Sequence, residues 1–146
     1  MIYYWAPMAS TRTLRTADYR HLLEVRTGLR RFLHWSEEQA RSAGLTPAQH
    51  QLLLAVRGHP ADRPPTIGEL ADHLLLQHHG AVQLVDRAAA AGLVTRERDG
   101  GDHRVVHVRL TPEGSRILES LAARHLDELR RVGLTFGEIA AGIEGG

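Results

Sequence analysis

Cysteine is absent from this chain of 146 residues. Disulfides, thiolate zinc sites and thiol-based redox sensing are thereby excluded. Lysine is absent as well, so all eighteen basic residues are arginine. A GC-rich genome explains that bias in the first instance. The guanidinium fork also suits phosphate and guanine. A large excess of one charge is missing too, because the formal net charge is only +1. Any affinity for nucleic acid must then come from where the charges sit rather than from their sum. No stretch approaches the roughly 20 apolar residues of a membrane span. Met1–Pro7 is apolar but short and has no basic leader, so no signal peptide is expected and the protein is read as cytoplasmic, with no membrane partner. Met8 is an alternative start.

What is present fits one globular domain long enough to bury a core. Residues 1–16 lack periodicity and read as a flexible arm. From Ala17 to Ala43 the residues Leu22, Val25, Leu29, Phe32 and Leu33 recur at helical spacing, and Gly44 stops the run. Thr46-Pro47-Ala48-Gln49 is a capping box with proline where a missing N–H does no harm, opening a helix through Leu52, Leu53 and Val56 to Gly58. His59–Pro65 is a linker. Thr66-Ile67-Gly68-Glu69 is a second capping box, followed by a short amphipathic helix with Ile67, Leu70, Ala71 and Leu74 on one face. Leu75–Gln77 forms a turn. Ala81, Leu84, Val85 and Ala88 then mark a further helix, ended by Gly92. Its outward face is read as His78, His79, Val82, Gln83, Asp86 and Arg87.

Two strands follow, Leu93–Arg98 and Arg104–Leu110, around the polar turn Asp99–His103. Thr111-Pro112 opens another helix, with Leu118, Leu121, Ala122, Leu126 and Leu129 continuing to about Val132. Thr135–Glu138 is expected to cap one last short helix. Helix, turn, helix, hairpin is the order needed to lay one helix in a DNA groove with a basic loop beside it.

The segments LTPAQHQLLL (45–54), TIGELADHL (66–74), LVDR (84–87), GLVTR (92–96) and DHRVVHVRLTPEG (102–114) carry a family resemblance. Over about half its length, Leu45 to Leu121, the chain resembles MarR-family winged helix-turn-helix regulators. The fold implied is mainly α with a small β-hairpin wing (α+β), a single winged-helix domain over 17–146. Its DNA-binding part would span about 47–111, and helices at about 17–43 and 112–143 would form a homodimer. The apolar stripes on those two segments agree, since nothing else in the sequence covers them.

By the resemblance, Arg104 enters the minor groove, where the potential is most negative over A·T tracts, and Asp102 braces it. Arg96 and Arg98 either contact phosphate or pair structurally. Gln77, His78, His79 and Gln83 are assigned to base or phosphate contact, and Arg87 to phosphate or to bracing Asp86. The family's usual Ser/Thr cap, inner Ser/Thr and arginine are here Gln77, Gly80 and Gln83, so the docking mode carries over but the base preference does not. Double-stranded DNA with a pseudo-palindromic operator is the expected partner. Release by a small-molecule effector is expected, and position along the chain assigns His34, Trp35 and His50 to its pocket.

Ten histidines invite a metal reading, but His21, His34, His50, His73, His107 and His125 are scattered over several elements. His78 and His79 point apart on their helix. No metal or cofactor is assigned on that basis; a metal-responsive regulator is an alternative. So is a winged helix used only to bind protein. No nucleophile elbow or phosphate loop suggests an enzyme.

Overall fold

A computed structural model describes residues 13–144, without the side chains of residues 134–136, 139, 143 and 144. The predicted arm thus falls mostly outside the described residues. Residues 13–15 are irregular, and helix α1 (Thr16–Ser42) already includes Thr16. Helices α2 (Pro47–Gly58), α3 (Ile67–Leu74) and α4 (His78–Ala90) follow. Strands β1 (Val94–Arg98) and β2 (Val106–Leu110) and helix α5 (Pro112–Glu144) complete the order.

Both expected capping boxes form. Gln49 N–H donates to Thr46 Oγ1 at 3.1 Å, and Thr46 N–H donates to Gln49 Oε1 at 3.0 Å. Thr66 and Glu69 do the same at 3.2 and 3.1 Å. Each cap satisfies N–H groups that a helix start leaves open and contributes about 1 kcal/mol. At the other end, α3 stops on Leu75, which adopts φ +55 and is 89% exposed. Helix α4 ends at Gly92, with φ +76. Gly92 N–H there bonds Ala89 O and Leu93 N–H bonds Ala88 O, each at 3.0 Å. This is a left-handed glycine closure that turns the chain straight into β1.

The core lies under the helix-turn-helix. Leu52 and Leu53 of α2, Leu70 of α3, Val85 of α4, Val108 of β2 and Leu121 of α5 are fully buried there. The apolar faces read from the sequence for α3 and α4 thus point inward. Helix α1 differs: only Ala40 is buried, while Leu22, Leu23, Leu29 and Leu33 are exposed, as are Leu126 and Leu129 of α5. These two helices pack on each other and still leave a long apolar stripe open.

Strands β1 and β2 are antiparallel, with Val94 opposite Leu110 and Arg98 opposite Val106. The second strand starts two residues later than expected because Arg104 and Val105 belong to the turn. Arg104 N–H is taken by Asp102 Oδ1, and Val105 N–H returns to Asp102 O, each at 3.0 Å. A third stretch joins the sheet where the sequence suggested only a linker and a cap. Thr66 bridges His107, and Val108 N–H donates to Pro65 O at 2.9 Å. A single bridge leaves no two-residue alternation to read.

The separate last helix expected after Val132 does not exist. Helix α5 runs unbroken for 33 residues through Gly133. A helical glycine costs only about 1 kcal/mol, too little to break a helix packed along α1.

The start of α5 is the tightest joint in the fold. Thr111 N–H donates to Leu93 O at 3.0 Å, the Thr111 hydroxyl donates to Gly92 O at 2.6 Å, and Gly114 N–H donates back to Thr111 Oγ1 at 3.0 Å. A Cβ on Gly114 would lie 2.1 Å from Leu93 O, whereas one on Gly133 would meet open space. Gly114→Ala is therefore expected to destabilise the protein by roughly 3 kcal/mol in urea unfolding. Gly133→Ala should stabilise it by about 0.5–1 kcal/mol. Equal effects of the two substitutions would contradict this account.

Candidate nucleic-acid interface

Helix α4 buries Ala81, Val85 and Ala88 and leaves His78, His79, Gln83, Asp86 and Arg87 exposed, with Gln77 exposed at its N-cap. Gln77 makes no side-chain cap, so its amide is free for another contact. His79, Gln83, Asp86 and Arg87 fall three or four residues apart, along one row of the helix. His78 is turned aside from that row toward the wing, where it lines a groove of about 380 Å³ with Val82, Arg96 and Arg104. Val82 is thus a correction: it is half-buried against the core and belongs to the groove rather than to the outward face.

The wing is set by its own polar groups. Asp99 Oδ1 accepts Gly101 N–H at 2.9 Å, which holds the Asp99 carboxyl below its ordinary range, and Arg98 Nη1 donates to the His103 carbonyl at 2.8 Å. Asp102 Oδ1 accepts both the backbone N–H of Arg104 and its Nε, the latter at 3.3 Å. The Arg104 side chain nonetheless remains 92% exposed. An ion pair this open adds little stability. What Asp102 supplies is direction, holding the Nε edge of the guanidinium and leaving its other N–H groups free for an acceptor.

The other arginines divide. Arg96 pairs with Asp86, tying β1 to α4, and Arg98 is engaged with the turn carbonyl. Of their two expected roles, structural pairing is the one the geometry contains. Asp86 is braced by Arg96 and not by Arg87. Arg87 is exposed and has no ion-pair partner among the described residues.

The residues assigned to an effector pocket do not all converge. His34 is 72% exposed and lies 3.0 Å from Glu38 on the same helix. Trp35 and His50 instead meet at His125, which the sequence reading left among the scattered histidines. The His125 ring centroid is 4.9 Å from that of Trp35 and 4.8 Å from that of His50. His125 Nδ1 donates to Leu121 O at 2.7 Å, so its Nε2 accepts from the Ser36 hydroxyl, also at 2.7 Å. Residues 50 and 125 share no sequence neighbourhood, and only the packing of α1, α2 and α5 joins them.

Helix, turn, exposed helix and hairpin in this packing define a winged helix-turn-helix, a DNA-binding class. A family model described as MarR family matches residues 43–105. The HTH-type transcriptional repressor NicR of Pseudomonas putida is 32% identical over 138 residues, spanning 93% of this chain and 84% of that protein. The uncharacterized HTH-type transcriptional regulator YsmB of Bacillus subtilis is 38% identical over 65 residues, a match that spans 44% of each protein. Among solved structures, AbsC, a MarR family regulator from Streptomyces coelicolor, superposes with a TM-score of 0.69 at 23% identity, covering 93% of this chain and 100% of that one. A MepR mutant from S. aureus, bound to an oligodeoxyribonucleotide, gives a TM-score of 0.62 at 17% identity, covering 90% and 96%. The chain belongs to the MarR family of DNA-binding transcriptional regulators. Among the described residues no helix is long and apolar enough to cross a membrane.

The buried His50 is 6% exposed, and its pKa is lowered from 6.5, first by burial and then by the charge of His125. A folded state that binds its proton less readily than the unfolded chain is stabilised above 6.5 and loses that stability as pH falls below it. The thermal midpoint should therefore drop between pH 7 and pH 5, as estimated from the ordinary histidine range. His50→Gln should flatten part of that slope in a pH series of melting curves. An unchanged slope would remove His50 as its source.

Proposed function

We propose that this protein is a homodimeric repressor of a pseudo-palindromic operator, released by a small-molecule effector. The observation that carries the DNA contact is the wing: Arg104 is oriented by Asp102 and exposed where it shares a groove with His78 of α4. On that reading α4 lies in the major groove and Arg104 enters the adjacent minor groove. His79 and Gln83 meet base edges, Arg87 meets phosphate, and His78 faces the wing side of the groove. Gln77 contacts phosphate or base from the start of α4.

The dimer reading rests on the uncovered apolar stripe of α1 and α5. A two-fold axis through that layer would set two recognition helices about one DNA turn apart, matching half-sites of an operator. NicR, the long-range relative, is described as a repressor, which supports the same sign of regulation here. On this proposal the effector would act near the Trp35–His50–His125 contact, a reading supported by the meeting of α1, α2 and α5 there. A ligand there acts only if it binds one arrangement of these helices better than another.

Arg104→Ala should weaken operator binding at least about tenfold in a titration at fixed salt, with the dimer intact by sedimentation. Equal affinity would refute the wing assignment. Gln83→Ala and His79→Ala should relax sequence preference more than they reduce non-specific affinity, measured on selected genomic fragments. A uniform loss across sequences would instead assign them to phosphate.

A further inference from the structure

Two histidines fourteen positions apart meet where α2 joins α3. His59 ends α2, and His73 lies in the last turn of α3. His59 Nδ1 and His73 Nε2 are 3.1 Å apart, with ring centroids 5.4 Å apart and planes crossing at 77°. The other His59 nitrogen, Nε2, is buried and has no aligned hydrogen bond, although Glu69 Oε2 lies 3.0 Å away. Glu69 is anchored in turn: Arg63 donates to both its oxygens at 2.6 and 3.1 Å, and Thr66 N–H donates at 3.1 Å. Those bonds, from Arg63 first, hold its carboxyl down to about 2 against the opposing effect of partial burial.

We propose that His59 Nδ1 and His73 Nε2 form a two-imidazole site for a divalent ion of the zinc class, with the Glu69 carboxylate orienting His59 from behind. Zinc binds imidazole nitrogen at about 2.0–2.1 Å, so two such ligands in a tetrahedron stand about 3.3 Å apart. The present separation is within a few tenths of that. The rings meet nearly head-on and share a proton as they stand. An ion takes that proton's place once the exposed His73 ring swings so that both lone pairs converge. A carboxylate on the far nitrogen is how metal-binding histidines are commonly fixed in tautomer and direction. In a chain without thiols, imidazole is the ligand type best suited to such ions.

No group of three or more His, Asp or Glu residues arranged around one point occurs among the described residues. The remaining coordination positions therefore fall to water or to a ligand from outside, and the site is open and exchangeable. Its occupation clamps the end of α3, the first helix of the helix-turn-helix, to the end of α2.

The test is calorimetric titration of tag-free full-length protein with zinc chloride at neutral pH, paired with thermal unfolding. One ion per chain is expected, with a rise of about 5 °C in melting midpoint at saturating zinc. His73→Ala should abolish the binding, and any drop in its metal-free midpoint reports only the lost hydrogen bond to His59. Glu69→Gln, which retains the capping box, should weaken zinc binding about ten- to a hundredfold. His34→Ala should change neither property. The absence of binding at millimolar zinc overturns the proposal, as does binding that His73→Ala leaves intact. Unchanged affinity in Glu69→Gln refutes the orienting role of the carboxylate.

Discussion

The arrangement depends on one backbone contact, the carbonyl of Leu93 pressed against the first turn of α5 at Gly114. That carbonyl accepts Thr111 N–H while the Thr111 hydroxyl takes the Gly92 carbonyl. The space left at residue 114 admits no Cβ. The end of α4, the entry to the first wing strand and the exit from the second are thus held at one point. From that point α5 runs back along α1. Such close packing leaves α5 little freedom to shift independently of α4 and the wing.

Charge is used locally, not globally. A formal charge of +1 supplies no general pull on DNA. Arginines pair with nearby acids, as Arg63 does with Glu69, Arg96 with Asp86 and Arg109 with Glu97. Such pairs orient elements more than they stabilise them. Arg104 shows the distinction best, because its partner aims it while leaving the side chain open. On the proposed DNA-binding reading, affinity would rest on a few placed cations, and its salt dependence would scale with their number.

Four of the ten histidines form two pairs rather than one cluster. His50 and His125 meet at a tilt where α1, α2 and α5 join, and His59 and His73 meet where α2 joins α3. Both pairs sit at seams between elements. His107 serves the fold in another way, donating from Nδ1 to the Pro64 carbonyl at 2.9 Å and so fixing the linker against β2.

The sequence by itself determined the elements and their order as far as α5, which it divided into two helices where the structure has one. Thr-x-x-Gln and Thr-x-x-Glu boxes, prolines at helix starts and a left-handed Gly92 are local devices that act within a few residues. The wing pair Asp102–Arg104 was legible only through the family resemblance, and its contact is local, between residues two positions apart. Tertiary structure decided everything that needed distant partners: the Thr66–His107 bridge, the pairing of Arg96 with Asp86, and the inward turn of Val82. It also decided that Gly133 stays helical, because packing along α1 outweighs a propensity cost of about 1 kcal/mol. The meeting of His50 with His125, and of His59 with His73, belongs here too. Short-range hydrogen bonds are written in adjacent residues, whereas side chains brought together by the folding of separate helices carry no mark in the sequence.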